Sequence, residues 1–383
     1  MPLERTGQGK GRLRVLVVFG TRPEAIKMAP VVRELARHPD SVALTVCVTA
    51  QHRELLDQVL GLFGIRPDID LDLMRPGQTL PALTARVLTG MIRVFEGNRP
   101  DWVLVQGDTT TVFATALAAF YLKIPVGHVE AGLRTSDRYF PFPEEINRRL
   151  VGALATYHFA PTERARLALL SEGVDPGSIF VTGNTVVDAL QWILKRPPSP
   201  EAQGLLRRLP PGKKLILVTA HRRESFGAPF VEICHGLRAV VERNPEVLVA
   251  YPVHPNPNVR GPVKRFLSGH ERIVLLDPLP YEPFVRLMQA SFLVLTDSGG
   301  LQEEAPVLGK PVLVLRTKTE RPEAVEAGVA RLIGTSRERI VSEVERLLCD
   351  EDAYRGMAKA GSLFGDGHAA ERIVRVLLGS PGA

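Results

Sequence analysis

Short runs of β-branched and other apolar residues recur along the chain, and segments with helix-like amphipathic periodicity separate them. The runs do not alternate with polar residues, which is typical of parallel strands buried on both faces of a sheet. A break divides the runs into two series. The first lies at 13–19, 42–48, 102–105 and 126–129, and the second at 215–220, 247–253, 272–276, 292–296 and 311–316. The pattern predicts an α/β fold with a doubly wound parallel sheet in each half.

The break contains a segment rich in proline and charge, KRPPSPEAQGLLRRLPPGKK at 195–214. This composition does not suit a core, and we expect an exposed excursion near the start of the second domain. A strand-like segment at 178–184 precedes it, which puts the domain boundary near Gly183. The predicted organisation is a disordered N-terminus at 1–11, an N-terminal Rossmann-like domain at 12–182 and a C-terminal Rossmann-like domain at 183–365.

In doubly wound sheets, ligands bind beyond the carboxyl ends of the strands, so the loops after the runs are the expected place for chemistry. The first such loop is GTRPEAIKMAP at 20–30. Gly20 permits a tight turn, and Arg22 and Lys27 flank a helix start whose free N–H groups already favour an anion. The loop matches neither the dinucleotide fingerprint nor the P-loop. The alternative interpretation is a capped helix with solvated basic residues.

Acidic residues follow later runs. Asp108 comes after the run at 102–105, Glu130 after the run at 126–129, and Glu144 at a predicted helix start that two prolines precede. Any one of these acids could serve only as a helix cap or favour the helix dipole. Three of them facing one crevice would suit proton transfer, because clustered carboxylates raise one another's pKa towards the working pH.

The second series carries basic residues in its loops. His221 and Arg222 follow the run at 215–220, and His254 lies in a loop that prolines hold extended. A histidine beside arginines can donate a proton to a departing phosphate, although a lone histidine is more often structural. The stretch DSGGLQEEAP at 297–306 has a Ser-Gly-Gly turn before a helix, which suits the binding of an anion.

Composition narrows the class of ligand. The 383 residues are 45% hydrophobic and 23% charged, and the formal net charge is +6. Lysine and arginine are dispersed and aromatic residues amount to only 6%, so we expect no nucleic acid partner. An anionic small substrate fits the positive charge.

The cysteines bear on the compartment. Cys47, Cys234 and Cys349 lie far apart without the spacing of metal ligands, and they predict reduced thiols in a cytoplasmic protein with no metal site. The apolar run near the N-terminus is too short for a signal peptide. Nor does any run approach the roughly 20 apolar residues of a membrane span, so we expect no membrane partner.

Eight motifs in these loops form one ordered set: FGTRPEAIKMAP, VTAQHRE, GDTTT, HVEAGLRT, PEEINR, HRRESFG, TDSGG with QEEAP, and TERPEA. From about residue 13 to 375, the set resembles that of the bacterial non-hydrolysing UDP-N-acetylglucosamine 2-epimerases. The resemblance implies a glycosyltransferase-B-like pair of Rossmann-type domains with the active site in the interdomain cleft. It also implies a C-terminal helix at 366–383 that packs back on the N-terminal domain, a homodimer, and no cofactor or metal.

The resemblance implies residue roles where the motifs match. It gives catalytic roles to Asp108, Glu130, Glu144 and His221, and substrate contacts to Arg22, Lys27 and Arg134. The residues that would hold UDP are Phe284, Ser298, Gly299, Gly300, Glu304 and Arg321. Related bacterial enzymes bind a second UDP-N-acetylglucosamine as an allosteric activator, and Gln51, Arg222 and His254 would line that site. Where relatives carry a polar Gln-Glu pair before the uracil-side tyrosine, this chain has Leu279 and Pro280, so any contact to uracil there must come from backbone groups.

Two acidic residues directly after the Ser-Gly-Gly turn need separate roles. Glu304 lies about one helical turn further along, and we expect it to accept hydrogen bonds from the ribose hydroxyls, as an acid does in dinucleotide folds. Glu303 is expected to serve only the helix dipole or a solvated face.

The implied reaction is the reversible epimerisation of UDP-N-acetylglucosamine at carbon 2 to UDP-N-acetylmannosamine, which supplies cell-surface polysaccharide synthesis. It would proceed by anti elimination of UDP to 2-acetamidoglucal and re-addition of UDP. Three alternatives stay open. A hydrolysing epimerase would release UDP and free N-acetylmannosamine, a glycosyltransferase would need an acceptor, and a non-catalytic sensor would bind the UDP-sugar without turnover. The three acids argue against the last two, which need no such set of proton-transfer groups.

Overall fold

The computed structural model describes residues 11–49, 53–73, 75, 77–359 and 361–379. Contacts divide the chain into two compact units. Unit 1 comprises the described residues up to Asp188 together with those from Gly367 onwards, and unit 2 comprises those of Ala189–Asp366. Among the described residues, no helix combines the length and the apolar character needed to cross a membrane.

Unit 1 is built on a sheet that has seven strands among the described residues, in the order β3-β2-β1-β4-β5-β6-β7. Each neighbouring pair runs parallel. The strand order changes direction between β1 and β4, which creates a topological switch point where ligands bind in such sheets. The strands are β1 (Leu13–Phe19), β2 (Val42–Val48), β3 (Ile69–Asp70), β4 (Trp102–Gln106), β5 (Val126–Val129), β6 (Tyr157–Ala160) and β7 (Ile179–Val181).

Unit 2 has a second parallel sheet, with six strands in its described part and the order β10-β9-β8-β11-β12-β13. Its switch point lies between β8 and β11. The strands are β8 (Lys214–Thr219), β9 (Val247–Pro252), β10 (Ile273–Leu276), β11 (Leu293–Thr296), β12 (Val312–Val314) and β13 (Ala330–Leu332).

Helices connect the strands of both sheets. The helices of unit 1 are α1 (Arg22–Ala36), α2 (Arg53–Phe63), α3 (Leu80–Asn98), α4 (Thr110–Tyr121), α5 (Glu144–Leu154), α6 (Glu163–Ser171) and α16 (Ala369–Leu377), and α7 (Thr185–Leu194) runs across the boundary. The helices of unit 2 are α8 (Pro200–Arg207), α9 (Ala228–Arg243), α10 (Pro257–Leu267), α11 (Tyr281–Ala290), α12 (Leu301–Val307), α13 (Pro322–Glu326), α14 (Arg337–Cys349) and α15 (Glu351–Met357). Short 3-10 turns occur at Pro176–Ser178 and Arg223–Ser225.

The central strands are apolar on both faces. Leu16 and Val17 in β1 are both fully buried, as are Leu217 and Val218 in β8. Because successive side chains of a strand point to opposite faces, each sheet must be covered on both sides. The predicted α/β class with two parallel sheets is therefore confirmed, and all nine predicted runs contain strands.

The segment at 195–214 is mostly exposed and lies near the start of unit 2, as predicted, but it also contains a helix that was not predicted. It contains helix α8, which begins after Ser199, and the Ser199 hydroxyl accepts from the N–H of Ala202 at 3.1 Å. Ala202 and Leu205 are buried, and α8 packs against α11. The serine cap and the proline in the first turn start a helix, and its few apolar residues recur at helical spacing.

Helix α16 returns the end of the chain to unit 1, where it packs against α1. The buried carboxylate of Asp188 accepts the N–H groups of Ala370 at 2.9 Å and Ala369 at 3.3 Å, which caps the helix. Burial raises the pKa of Asp188 to about 6, although both backbone donors oppose that shift.

Candidate active site

A buried ion pair joins two loops of unit 1. Arg22 begins α1, and Lys27 lies further along the same helix with 9% of its surface exposed. The ammonium Nζ of Lys27 donates to Oε1 of Glu130 at 2.5 Å. Each charge offsets part of the desolvation cost of the other. The structure therefore brings together two predicted site residues from the loops after β1 and β5.

Glu130 is held in a strained position at the end of β5. Its φ is +64°, which lies in the left-handed region that residues with a side chain seldom adopt. Gln106 and Asn184 also donate to its carboxylate, Asn184 at 3.0 Å. Such strain persists only where the surroundings enforce it, and it is concentrated at functional sites. The sequence did not predict Gln106 or Asn184 as site residues.

Asp108 is tied to helix α5, which Glu144 begins. Arg148 of that helix donates to the Asp108 carboxylate, and Asn147 donates to the Asp108 carbonyl oxygen at 2.9 Å. Arg148 also donates at 3.1 Å to Glu145, which is fully buried. Helix α5 thus connects the loop of Asp108 with the segment that carries Glu144. The cationic partner of Asp108 was not predicted, although Arg148 lies inside the motif PEEINR.

His128 supports the turn that precedes Asp108. Its Nε2–H donates to the carbonyl oxygen of Gly107 at 2.7 Å. Burial lowers the pKa of His128 to about 4, so the ring is neutral at physiological pH and its hydrogen lies on Nε2. Gly107 adopts a φ of +82°, where a side chain would be strained.

Arg134 makes its contacts within unit 1. Its guanidinium forms a two-point ion pair with Glu172, at 2.9 and 2.7 Å, and donates to the Leu133 carbonyl oxygen at 2.8 Å. The hydrogen bond from Arg134 lowers the pKa of Glu172. These contacts fix the guanidinium, and its contact with substrate stays a prediction.

Glu24 is a buried acid that the sequence analysis missed. Its Oε2 accepts the N–H groups of Gly20 at 2.8 Å and Thr21 at 2.7 Å, and its Oε1 accepts the hydroxyl of Thr109 at 2.5 Å. Burial raises the pKa of Glu24. The spacing Thr-x-x-Glu at 21–24 is a capping-box signal that could have revealed the residue. Glu24 joins the loop of Arg22 to the loop of Asp108.

The site of unit 2 is centred on Asp297, which is fully buried at the end of β11. Its Oδ2 accepts the backbone N–H groups of His221 at 2.6 Å and Arg222 at 2.7 Å. Its Oδ1 lies 3.6 Å from Nδ1 of His221. The imidazole of His221 stacks on that of His254, with ring centroids 5.1 Å apart. The structure therefore brings the predicted catalytic histidine next to two residues predicted for the activator site.

The groups around His221 shift its pKa in opposite directions. Burial lowers its pKa, the Asp297 carboxylate opposes that shift, and His254 and Arg222 reinforce it. Burial also lowers the pKa of His254, again against the charge of Asp297. The third residue predicted for the activator site, Gln51, lies outside the described residues.

The Ser-Gly-Gly turn lies against a fixed arginine. Arg321 Nε donates to Oε1 of Glu303 at 2.7 Å, and a methyl group on Gly299 would lie 2.8 Å from Arg321 Nη1. Glu303 is fully buried, so its prediction as a solvated residue is wrong, whereas its place in the first turn of α12 agrees with the predicted service to the helix dipole. Ser298 donates its N–H to the Thr296 hydroxyl at 2.9 Å, and Gly300 directly precedes α12. Of these predicted UDP-binding residues, Gly299 and Arg321 lie directly beside each other.

A buried carboxylate beside Arg321 is itself paired with a second arginine. Glu320 lies 3.7 Å from Arg321 and accepts from both terminal nitrogens of Arg316, at 2.9 and 3.2 Å. Burial alone would raise the pKa of Glu320, but Arg321 and Arg316 outweigh it and lower the pKa to about 2. Glu320 therefore stays charged at neutral pH and helps to hold Arg321 in place.

Glu304 meets a tyrosine. The buried hydroxyl of Tyr281 donates to Oε1 of Glu304 at 2.5 Å. Tyr281 begins helix α11, which also carries the half-buried Phe284. No sequence signal linked Tyr281 to Glu304, because the two residues lie on different helices. The predicted ribose and base sides of the nucleotide site are thus connected within unit 2.

The two sites carry complementary chemistry. Unit 1 offers carboxylates with paired cations, which suits proton transfer and sugar hydroxyls. Unit 2 offers a glycine turn, an arginine and a histidine, which suit a diphosphate. In the part of the chain that the structure describes, no cluster of three histidine, cysteine or acidic side chains could hold a metal ion.

Comparison with known proteins supplies the family. A family model described as UDP-N-acetylglucosamine 2-epimerase matches residues 33–378. The chain is 57% identical over 370 residues to the UDP-N-acetylglucosamine 2-epimerase of Yersinia pestis, over 95% of this chain and 98% of that protein.

Solved structures agree. The crystal structure of UDP-GlcNAc 2-epimerase from Neisseria meningitidis bound to UDP-GlcNAc has a TM-score of 0.92 and 48% sequence identity to this chain. The match covers 96% of this chain and 100% of the Neisseria chain. The Methanocaldococcus jannaschii UDP-GlcNAc 2-epimerase in complex with UDP-GlcNAc and UDP has a TM-score of 0.83 and 34% sequence identity. That match covers 95% of this chain and 99% of the Methanocaldococcus chain. These matches confirm the expected glycosyltransferase-B-like fold class with two Rossmann-type units.

Proposed function

The chain belongs to the UDP-N-acetylglucosamine 2-epimerase family, and from that premise we propose that it acts as the non-hydrolysing enzyme. It interconverts UDP-N-acetylglucosamine and UDP-N-acetylmannosamine without a cofactor. Its product supplies cell-surface polysaccharide synthesis. The observation that carries the proposal is the buried Glu130 carboxylate, which lies in a strained backbone position with donors from Lys27, Gln106 and Asn184.

The reaction needs a leaving group because the hydrogen on carbon 2 is not acidic by itself. A base removes that proton while the bond from carbon 1 to the UDP oxygen breaks, so that 2-acetamidoglucal and UDP form. UDP then adds back to carbon 1, and an acid delivers a proton to carbon 2 from the opposite face. Asp108, Glu130 and Glu144 are the proposed acid and base groups.

Unit 2 would stabilise the departing UDP. Arg321 and the turn of Ser298, Gly299 and Gly300 bind the diphosphate, and His221 donates to an oxygen that gains charge as the bond breaks. Glu304 accepts from the ribose hydroxyls, and Phe284 contacts the base. Arg22, Lys27 and Arg134 of unit 1 contact the rest of the substrate.

The test is incubation with UDP-N-acetylglucosamine in deuterated water, read by proton and phosphorus NMR. The product should be UDP-N-acetylmannosamine with deuterium at carbon 2, and the diphosphate should stay attached to sugar. Glu130→Gln should slow the reaction by about 10²–10⁴-fold. Glu163→Gln, at an exposed carboxylate paired with Arg166, is the matched control and should react like wild type.

Other outcomes separate the alternatives. Accumulation of free UDP with N-acetylmannosamine would identify a hydrolysing epimerase. Saturable binding without any change in the sugar would identify a sensor. Complete retention of the original hydrogen at carbon 2 would rule out the elimination scheme.

We also propose a homodimer. Phe120 and Tyr121 at the end of α4 are 57% and 59% exposed, and Leu150 of the neighbouring α5 is 42% exposed. Exposed apolar side chains on neighbouring helices indicate a protein interface. Sedimentation velocity should give a dimer for wild type, and the double variant Phe120→Ser/Tyr121→Ser should weaken it. A monomeric wild type at micromolar concentration would contradict this proposal.

Allosteric activation by a second substrate molecule is the remaining part of the proposal. Arg222 and His254 lie beside His221, and Gln51 completes the expected set. The initial rate should depend sigmoidally on UDP-N-acetylglucosamine concentration. His254→Ala should make the dependence hyperbolic. A hyperbolic wild type would contradict activation while leaving the epimerase assignment intact.

A further inference from the structure

The two carboxylate oxygens of Asp297 differ in their hydrogen bonds. Oδ2 accepts two successive backbone N–H groups, those of His221 and Arg222. Oδ1 has no hydrogen-bond partner among the described residues, although the side chain is fully buried. Leaving a buried carboxylate oxygen without a donor is costly, so such an oxygen calls for a functional explanation.

The ring of His221 is a potential donor to this oxygen, and its Nδ1 lies 3.6 Å away. That separation is longer than a hydrogen bond. Catalytic hydrogen bonds are often long before substrate binds and shorten in the complex. The two backbone bonds fix the plane of the carboxylate from the segment that carries His221 itself. The imidazole can therefore close on Oδ1 by a small rotation of its own side chain.

We propose that Asp297 is the positioning residue of His221: it accepts Nδ1–H from the imidazole, fixes that tautomer, and leaves Nε2 as the ring nitrogen that meets the substrate. The inference rests on the proposed role of His221 at the departing UDP. About a third of the His221 side chain is exposed whereas Asp297 has no exposed surface, so the ring has one buried edge and one accessible edge.

The positioning role explains why a carboxylate lies in this fully buried position beside His221. The groups that face His221 are Asp297, His254 and Arg222, and Asp297 alone among them favours the protonated ring. The hydroxyl of Tyr251 is also close to Asp297, but it donates to the Ala220 carbonyl oxygen at 2.7 Å. An imidazolium whose Nδ1–H is held by a carboxylate can donate Nε2–H to a phosphate oxygen.

The decisive variant is Asp297→Asn, which keeps the size of the side chain. Its amide oxygen can still accept the two backbone N–H groups, and its NH2 group then points at His221 Nδ1 as a donor. The ring must respond by carrying its hydrogen on Nε2. With that amide facing Nδ1, the ring cannot take up the second proton that makes it a charged Nε2–H donor, because the carboxylate that favours the imidazolium is gone. In a serine protease with the same kind of pair, the same change costs about 10⁴-fold in kcat. We expect a loss of about 10²–10⁴-fold in kcat here, with a much smaller change in UDP affinity.

Imidazole ¹⁵N chemical shifts provide a readout that a merely structural role would not move. The chain has nine histidines, so His221 is assigned by its absence from the spectrum of His221→Gln. Wild type should show the Nδ1–H tautomer at neutral pH, and Asp297→Asn should show Nε2–H. The matched control is Asp188→Asn in unit 1, another buried aspartate that accepts two successive backbone N–H groups. It should leave the His221 tautomer and kcat unchanged.

The outcomes separate this inference from the proposed function. Wild type with Nε2–H on His221, or Asp297→Asn with the wild-type tautomer and full kcat, would overturn the role of Asp297. Epimerase activity is measured separately on wild type, so its absence would contradict the proposed function and not the tautomer result. If Asp297→Asn does not fold, as judged by circular dichroism, the wild-type tautomer alone decides.

Discussion

The Lys27 ammonium lies 2.5 Å from Oε1 of Glu130, and both side chains are almost completely buried. Lys27 comes from the helix after β1 and Glu130 from the end of β5, so the pair connects two loops around the switch point of the unit 1 sheet. A buried pair of this kind is costly to break from one side, because the remaining charge has lost its partner. The pair therefore couples the stability of unit 1 to the placement of a proposed proton-transfer group.

Lys27→Met should reveal that coupling. The variant removes the charge while keeping an apolar chain, and we expect a loss of about 3–5 kcal/mol in the free energy of unfolding. The double variant Lys27→Met/Glu130→Gln should be more stable than Lys27→Met, because it removes both charges of the buried pair. Thermal and urea unfolding of wild type, Lys27→Met, Glu130→Gln and the double variant measures the difference. A double variant less stable than Lys27→Met would contradict the ion pair as the source of the effect.

Much of the fold was predictable because buried parallel strands are apolar on both faces. The run at 13–19 and strand β1 have identical bounds. Strands β3, β6 and β13 were not predicted, since they are two to four residues long and lack a distinctive run. The helix within the exposed segment at 195–214 was not predicted because it has only a few apolar residues among prolines and charges.

The candidate sites were predictable only where the signal was local. Strand-end loops indicated Asp108, Glu130 and His221, because the carboxyl ends of parallel strands collect ligands. The burial of Glu303 and its ion pair were not predicted because its partner, Arg321, comes from a loop 18 residues further along the chain. The hydrogen bond from Tyr281 to Glu304 was missed for the same reason. Pairings across elements depend on tertiary structure, which one sequence does not contain.

Gly299→Ala should disturb the nucleotide site through Arg321. The added methyl group would lie 2.8 Å from Arg321 Nη1, and Glu303 holds that guanidinium in place. Displacing one charge-assisted contact to the diphosphate costs about 2 kcal/mol, or roughly thirtyfold in the Kd of UDP. Isothermal titration calorimetry with UDP measures the loss.

Two comparisons make that result specific. In the described part of the chain, and apart from its chain neighbours and nearby helix backbone, a methyl group on Gly300 has Oε2 of Glu304 as its nearest atom, at 4.0 Å, so Gly300→Ala should lose less affinity. In an Arg321→Ala background, Gly299→Ala should add almost nothing, because the clashing group is gone. Equal losses in both backgrounds would show that the methyl group acts on the nucleotide directly.

Tyr281→Phe should weaken UDP binding without unfolding unit 2. The lost hydroxyl donates to Glu304 at 2.5 Å, and without it the carboxylate is less well placed for the ribose. We expect a loss of about tenfold in affinity, equivalent to about 1.4 kcal/mol. Tyr354→Phe is the matched control, because it removes a hydroxyl that donates to the Phe292 carbonyl oxygen at 3.0 Å in the same unit. Should both variants bind UDP equally well, Glu304 would not depend on Tyr281.

Mild acid should destabilise unit 1 through two buried histidines on neighbouring strands. His128 in β5 and His158 in β6 are register partners, and burial lowers the pKa of each to about 4. A folded-state pKa below the unfolded value of about 6.5 gives stability that is fully present above pH 6.5 and is lost as the pH falls through 4. Each histidine contributes about 3 kcal/mol to this loss.

His158→Leu should therefore lose less stability than wild type between pH 7 and pH 4. The difference should be about 3 kcal/mol, the contribution of one histidine. The apolar replacement suits a buried strand position and cannot take up a proton. His38→Gln, at a more exposed histidine of unit 1, should keep the wild-type slope. Differential scanning calorimetry across this pH range measures both variants against wild type. An unchanged slope in His158→Leu would mean that His158 does not take up a proton when unit 1 unfolds, and the acid sensitivity would then have to come from His128 and other groups.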